Sequence, residues 1–343
     1  MPTLKDVAAL AGVSAATVSL YLNGKSAGRI SPQKQQEIEA ALNQLSYQPG
    51  AAAKRLRGLG NGADSYNIAV YWASDTRSAL LGKVISGIQS SLAEHHTANI
   101  FHIVICPYTP NELYREKSLT DTEQVHYDAA IIANTTAIDM QYLNSILPPI
   151  PVVLLNRSLP QYHTVTIPNQ QMGADMANLI ADHGFSEVAV FRSHTPYLAT
   201  DERVIGFINH CRSRAVSLPT QALIYTEDSA DGGIRAAKTL LSLEHHPNVV
   251  FCDSDSIAIG ALSWFQSQNL SVPQDMSIVS LSLNNSSITQ CLTPPLTVSE
   301  IPLKQMARGC MDCITELLTG SRQNTEPIHR QLETNIILRE SLK

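Results

Sequence analysis

Six cysteines, eleven histidines and thirty acidic residues offer this chain of 343 residues material for metal, thiol or acid–base chemistry. Their spacing uses little of it. Cys310 and Cys313 form a CxxC inside a helical pattern. A zinc site needs a second pair or histidines at ligand spacing, and none follows, so these read as packed thiols with no metal. The pairs His95–His96 and His245–His246 fall at predicted helix ends. There, imidazole sits favourably against the carbonyl end of the helix dipole. No GxSxG elbow, HExxH pair or phosphate loop occurs, and Gly58, Gly60 and Gly62 do not join a strand to a helix. The chain reads as a non-enzyme without cofactor.

Charge points elsewhere. The net charge is −6, yet residues 1–60 hold seven basic against three acidic side chains. A head of +4 therefore sits on a body of −10, which implies an anionic partner for the head alone. Residues 3–24, TLKDVAALAGVSAATVSLYLNG, are nearly neutral and crowded with small side chains. Thr3 and Asp6 have capping-box spacing, and Leu4, Val7, Ala8 and Ala11 share one helical face. Gly12 suits a left-handed turn, and Ser14 caps a second helix with Val18 and Leu22 inward. Ser31 and Pro32 open a third helix, whose Ile38, Ala41, Leu42 and Leu45 close a small core. Pro49 and Gly50 then break the chain before AAAKRLRG, a basic segment too short to hold a helix alone.

From Asn67 onward, short apolar runs alternate with amphipathic segments: NIAVYWA, IFHIVIC, YDAAIIAN and IPVVLLN, then TVTIP, EVAVFR, QALIY, NVVFC and MSIVSLS. This βαβ rhythm predicts two doubly wound parallel-sheet lobes. Ligands of such sheets sit where the carboxyl ends of the strands converge, here in a cleft between lobes. The series break near NRSLPQYH, residues 156–163. The expected division is a helix-turn-helix head at 1–48, a hinge and linker at 49–65, and a body at 66–343. The body divides into an N-lobe of about 66–157 and 288–322 and a C-lobe of about 158–287 and 323–343. No apolar run approaches the roughly 20 residues of a membrane span, and no signal pattern opens the chain, so a cytosolic protein is expected.

The head and hinge residues, in this order, closely resemble those of LacI/GalR-type bacterial repressors. The body motifs ERVIGF, VVFCDSDSIAIGAL, SVPQDMSIVSLS and TPPLTVSEIPLKQMARGC extend the resemblance over nearly the whole chain, to a core similar to a periplasmic sugar-binding protein. The resemblance implies a homodimer on a pseudopalindromic double-stranded DNA operator, controlled by a carbohydrate-like effector. A free solute-binding module of the same body fold is the alternative. The second helix, from Ser14, would enter the major groove, with Ala15, Ala16 and Leu20 choosing bases and Thr17, Ser19 and Asn23 holding phosphates. Leu4, Lys5, Arg29, Ser31 and Tyr47 would add backbone contacts. Ala53, Lys54, Arg55 and Leu56 match the minor-groove hinge helix, Leu56 being the wedge.

The departures are informative. Leu20 stands where arginine is common, which removes a bidentate guanine contact. Base reading then leans on thymine methyls and DNA shape. In the body, Arg203 matches an effector-reaching arginine, with an inter-helix salt bridge as the plainer role. Ser254-Asp255 replaces Asn-Asp, leaving Asp255 as effector ligand or helix cap. Ser282 replaces an aspartate. Trp72, Asp75 and Asn134 complete the expected effector set, Trp72 being equally at home in the core.

Overall fold

The computed structural model describes residues 4–22, 29–44, 65–74, 78–97, 100–121, 127–194, 197–282, 286–319 and 326–343. The head holds α1 (Leu4–Leu10), α2 (Ala15–Leu22) and α3 (Pro32–Gln44). Val7, Ala8, Ala11, Val18, Ile30, Ile38 and Ala41 form its buried core. Gly12 turns between α1 and α2 with φ +60°, a conformation that costs glycine nothing. Ser14 Oγ accepts from the Thr17 amide at 3.1 Å and opens α2, while Ser31 Oγ accepts from Lys34 at 3.4 Å and opens α3.

The body is two sheets of six strands. The first has the order β11-β5-β4-β3-β1-β2, built from β1 (Tyr66–Ala73), β2 (Phe101–Tyr108), β3 (Ala129–Ala133), β4 (Val152–Leu155), β5 (His163–Thr166) and β11 (His329–Gln331), all parallel. The second has the order β12-β10-β9-β8-β6-β7, from β6 (Ala189–Ser193), β7 (Leu223–Thr226), β8 (Val249–Cys252), β9 (Ser277–Ser282), β10 (Thr297–Glu300) and β12 (Asn335–Ile337), which alone runs antiparallel. The central strands are apolar on both faces, as sheets covered on both sides require. The two doubly wound lobes read from the βαβ rhythm are therefore present.

The lobe boundaries differ from the sequence expectation. The strand that seemed to open the second series, β5, completes the first sheet. The chain crosses to the second lobe about ten residues later, at Ile167–Pro168, before the helix Asn169–Asp182. Likewise β10 belongs to the second sheet and β11 to the first. Apolar periodicity marks a strand but not the sheet it joins, so the pairing of TVTIP with the first sheet is not visible in its residues. Three short crossings result: 167–168, 301–302 and 332–334. Three adjacent strands of this kind make a hinge rather than a rigid neck.

Helices cover both sheets: α4 (Ser78–Glu94), α5 (Ala137–Ser145) and α11 (Leu303–Leu318) on the first lobe, α6 (Asn169–Asp182), α7 (Leu198–Ser213), α8 (Ala230–Leu241) and α9 (Asp255–Ser267) on the second, with a short α10 (Ser286–Gln290). Among the described residues no helix is long and apolar enough to cross a membrane. Cys310 and Cys313 are fully buried on α11, and burial pushes the Cys310 thiol well up. The pair α6 and α7 cross so closely that a Cβ on Gly173 would lie 1.9 Å from the Arg203 carbonyl oxygen. That contact sets the height of Arg203 above the sheet. Gly173→Ala is expected to lower the melting temperature, costing roughly 1–3 kcal/mol through forced helix separation. Gly82, in the open interior of α4 with no atom within 4 Å of an added Cβ, is the control. Gly82→Ala should be neutral or stabilising by up to about 1 kcal/mol in the same thermal melts.

Candidate functional site

Both sheets reverse their winding at one place, between β1 and β3 in the first and between β6 and β8 in the second. Connections diverge there and leave a crevice at the carboxyl ends of the strands. The residue after β3 is Asn134 and the residue after β8 is Asp253, the same position in two lobes. Asn134 and Asn156, the latter after β4, both have φ 55°. Asparagine tolerates this left-handed conformation, so the chain turns sharply out of each strand.

A small cavity, about 50 Å³, lies between the lobes. Trp72, Leu80, Asn134, Leu155 and Asn156 line it from the first lobe, and Tyr197, Thr200 and Arg203 from the second, with Ile301 and Leu303 at a crossing. Of the expected effector residues, Trp72, Asn134 and Arg203 meet here. Trp72 serves in both of its readings: it is 5% exposed within a hydrophobic core cluster that spans both lobes and also faces the cavity. Tyr197, at the start of α7, packs into an apolar cluster otherwise drawn from the first lobe. That contact closes the cleft, and the remaining volume suits a few waters.

Polar groups in the cleft are organised around Asn169. Its Oδ1 accepts from Arg203 Nη1 at 3.0 Å and from Asn156 Nδ2 at 3.3 Å. Its Nδ2 donates to Glu202 Oε2 at 2.9 Å and to Asn156 Oδ1 at 3.1 Å. Arg203 Nη2 donates to Thr200 Oγ1 at 3.4 Å. Arg203 on α7 thus reaches α6 through a hydrogen bond to the Asn169 amide. Asn134 Nδ2 and Thr135 Oγ1 are buried and meet no acceptor or donor among the described residues.

Asp255 and Ser282 do not line this cavity. Ser282 Oγ donates to Asp255 Oδ2 at 3.1 Å, and both side chains are buried. Ser254, not Asp255, caps α9, its hydroxyl accepting from the Ser256 amide at 3.3 Å. A serine ahead of the helix reaches its free amides, whereas Asp255 already lies inside the first turn. Lys83 of the first-lobe helix α4 faces this corner: burial pulls its ammonium below the usual lysine range, and Asp255 and Glu300 of the second lobe pull it back up. Asp75 lies outside the described residues.

Sequence reasoning missed Asp253. It is fully buried. Its Oδ2 accepts from the Ser193 amide at 2.8 Å and the Ser193 hydroxyl at 2.7 Å, while Oδ1 meets no donor among the described residues. Burial pushes its pKa up to about 6; the Ser193 bonds and Arg203 hold it down, and Asp228 pushes it further up. The available signal was a charged residue directly after an apolar strand at the switch point.

In the head, Ala16 is exposed on α2, while Ala15 and Leu20 are half-buried against the head core. Ser14 Oγ and Thr17 Oγ1 are 2.8 Å apart, so these hydroxyls engage each other in the free protein. Ser19 is half-buried, and Arg29 and Ser31 are exposed. Asn23, Tyr47, Ala53, Lys54, Arg55 and Leu56, and the side chains of Leu4 and Lys5, lie outside the described residues.

Asp253 yields a stability prediction. Its carboxyl binds protons more tightly in the native state, about 6 against an ordinary 3.8. Between those values the native state holds more protons than the unfolded one, so its contribution to stability falls as pH rises from about 4 to 6. Asp253→Asn should therefore be more stable than the parent at pH 7.5, by about 3 kcal/mol at most, with the gain vanishing below about pH 4. Thermal melts across pH read this directly.

Comparison with known proteins places this geometry. Residues 3–50 match the model of bacterial regulatory proteins of the lacI family, and residues 158–342 match a periplasmic binding protein-like domain. A LacI family transcription regulator from Clostridium acetobutylicum is 33% identical, covering 80% of this chain and all of its own, with a TM-score of 0.75. The HTH-type transcriptional repressor CytR of Escherichia coli is 26% identical over 99% of this chain and 96% of its own. PurR of Vibrio cholerae, also an HTH-type transcriptional repressor, is 22% identical over 100% of this chain and 98% of its own. This chain belongs to the LacI family of bacterial regulatory proteins, a DNA-binding regulator and not an enzyme.

Proposed function

We propose that this regulator is a repressor that binds a pseudopalindromic operator as a homodimer and answers to a small, carbohydrate-like effector held between the lobes. The observation that carries the reading is the union, in one chain, of a helix-turn-helix head and a hinged cleft with buried polar atoms awaiting a partner. The head of residues 1–48 reads DNA, 49–65 forms the hinge, and the protein works in the cytoplasm. Relatives named as repressors support the sign of regulation. Two similar structures are described as a CelR–cellobiose complex and as an Enterococcus faecium regulator with bound ribose, at TM-scores of 0.68 and 0.63. They support a sugar-like ligand.

Linkage is the mechanism. An effector shifts the lobe equilibrium only by its differential affinity for the two states, and the operator responds by the same factor. The near-neutral α2 supplies shape. Exposed Arg29, with Lys5, Lys54, Arg55 and Arg57, supplies attraction to phosphates. Ala15, Ala16 and Leu20 are the base-facing apolar contacts, and Leu20 sets an operator preference unlike that of relatives with arginine there. Leu56 wedges the central step.

Fluorescence anisotropy with full-length protein and palindromic duplexes from its own genome tests the proposal. Specific binding should weaken steeply with salt. Leu56→Ala should lower operator affinity at least about tenfold while changing nonspecific binding little. Equal losses on both DNAs would refute the wedge, and the absence of any preferred palindrome would refute the repressor.

A further inference from the structure

The charged side chains that line the inter-lobe cavity, among the described residues, are two arginines. Arg157 follows β4 in the first lobe, and Arg203 stands on α7 in the second. Both are buried, at 7% and 3% exposure. Neutral groups orient them. Arg157 Nε and Nη2 donate to the Thr135 carbonyl at 3.2 and 2.9 Å, and its Nη1 donates to the Asn156 carbonyl at 2.7 Å. Arg203 donates to the Asn169 amide and the Thr200 hydroxyl. Such bonds fix a guanidinium in place while it keeps its proton. Asp253 acts on Arg203 from outside the lining, and tempers one of the two charges. Glu202 accepts from Asn169 and does not line the cavity either. Asn134 adds a buried donor to the same lining, its Nδ2, which meets no acceptor among the described residues.

Two like charges from opposite lobes thus meet at one cavity of about 50 Å³. Closing the lobes brings them together, and their repulsion opposes closure. A neutral hydroxyl between them leaves that repulsion as it is, and a protonated amine adds to it. An anionic oxygen group attracts both guanidinium groups and also accepts from Asn134. Because the two arginines belong to different lobes, such a group draws the lobes together. We infer that the effector is a carbohydrate-like molecule bearing a carboxylate or a phosphate, which lies between Arg157 and Arg203 and takes a hydrogen bond from Asn134. The inference rests on the effector-controlled reading of this cleft. Trp72 and Tyr197 give the remainder of the ligand apolar surface to lie against.

The test divides a protein-free small-molecule extract of the producing cells on an anion exchanger at pH 7.5. The retained and flow-through fractions are each added to full-length protein in thermal melts and operator titrations. The retained fraction should raise the melting temperature by several degrees and change operator affinity about fivefold or more, and the flow-through should do neither. Treating the retained fraction with alkaline phosphatase separates the two sources: the effect of a sugar phosphate disappears and that of a sugar acid persists. Arg157→Gln and Arg203→Gln should each require about tenfold or more of the retained fraction for the same response. Arg203→Lys, which keeps the charge, should require less of it than Arg203→Gln. If Arg157→Gln does not melt cooperatively, the two Arg203 variants carry the comparison. Activity confined to the flow-through overturns the inference and leaves the effector reading standing. Arg203→Gln answering as wild type does also overturns it. A protein that binds its operator and answers neither fraction overturns the effector reading and this inference together.

Discussion

A polar atom removed from water must be paired, and the cost of leaving one unpaired is about 1–3 kcal/mol. Among the described residues, the structure accepts that cost at Asn134, Thr135 and Asp253, each just beyond the end of a central strand, with Asn134 lining the cleft. The cost makes sense if a ligand completes the pairing. The doubly wound topology, the left-handed asparagines and the close crossing of α6 and α7 then serve one end. They hold polar side chains of both lobes, Asn134 from the first and Thr200 and Arg203 from the second, around one crevice.

The hinge follows from the same constraint. Because the groups to be paired belong to different lobes, one ligand can satisfy them together only in one lobe arrangement. Three short crossings leave the lobes able to change angle. Tyr197, seated in the first-lobe cluster, and Lys83, facing Asp255 and Glu300, already draw the lobes together. A ligand therefore competes with, or adds to, contacts of modest strength, which is the condition under which binding shifts a population appreciably.

Much of this was legible in the residues. Caps at Ser14 and Ser31, the turn at Gly12 and the apolar positions Val7, Ala8, Ala11, Val18, Ile38 and Ala41 of the head each carry a local physical signal, and the structure shows them. The strands were legible from their apolar runs. Sheet membership was not, because β5 and β10 are paired by long-range topology rather than by local pattern. In the cleft, Trp72, Asn134 and Arg203 were found from strand ends and from resemblance. Asp255 and Ser282 were misplaced, because their mutual hydrogen bond depends on how β9 and α9 meet. Asp253 escapes that reading although it lies inside VVFCDSDSIAIGAL, next to Ser254-Asp255. Its significance is burial, and burial is a property of the assembled lobe.

The central claim is that the unpaired groups of the two lobes, acting through one ligand, control the DNA-bound state. The direct measurement is operator affinity of full-length protein, with and without a protein-free small-molecule extract of the cells that make it. Wild type is compared with the Asn134→Gly, Asp253→Asn double variant. Glycine preserves the left-handed turn at 134, and asparagine preserves the shape at 253. The account predicts that the extract changes wild-type affinity by about fivefold or more and leaves that of the double variant unchanged. A double variant that responds as wild type does would contradict it.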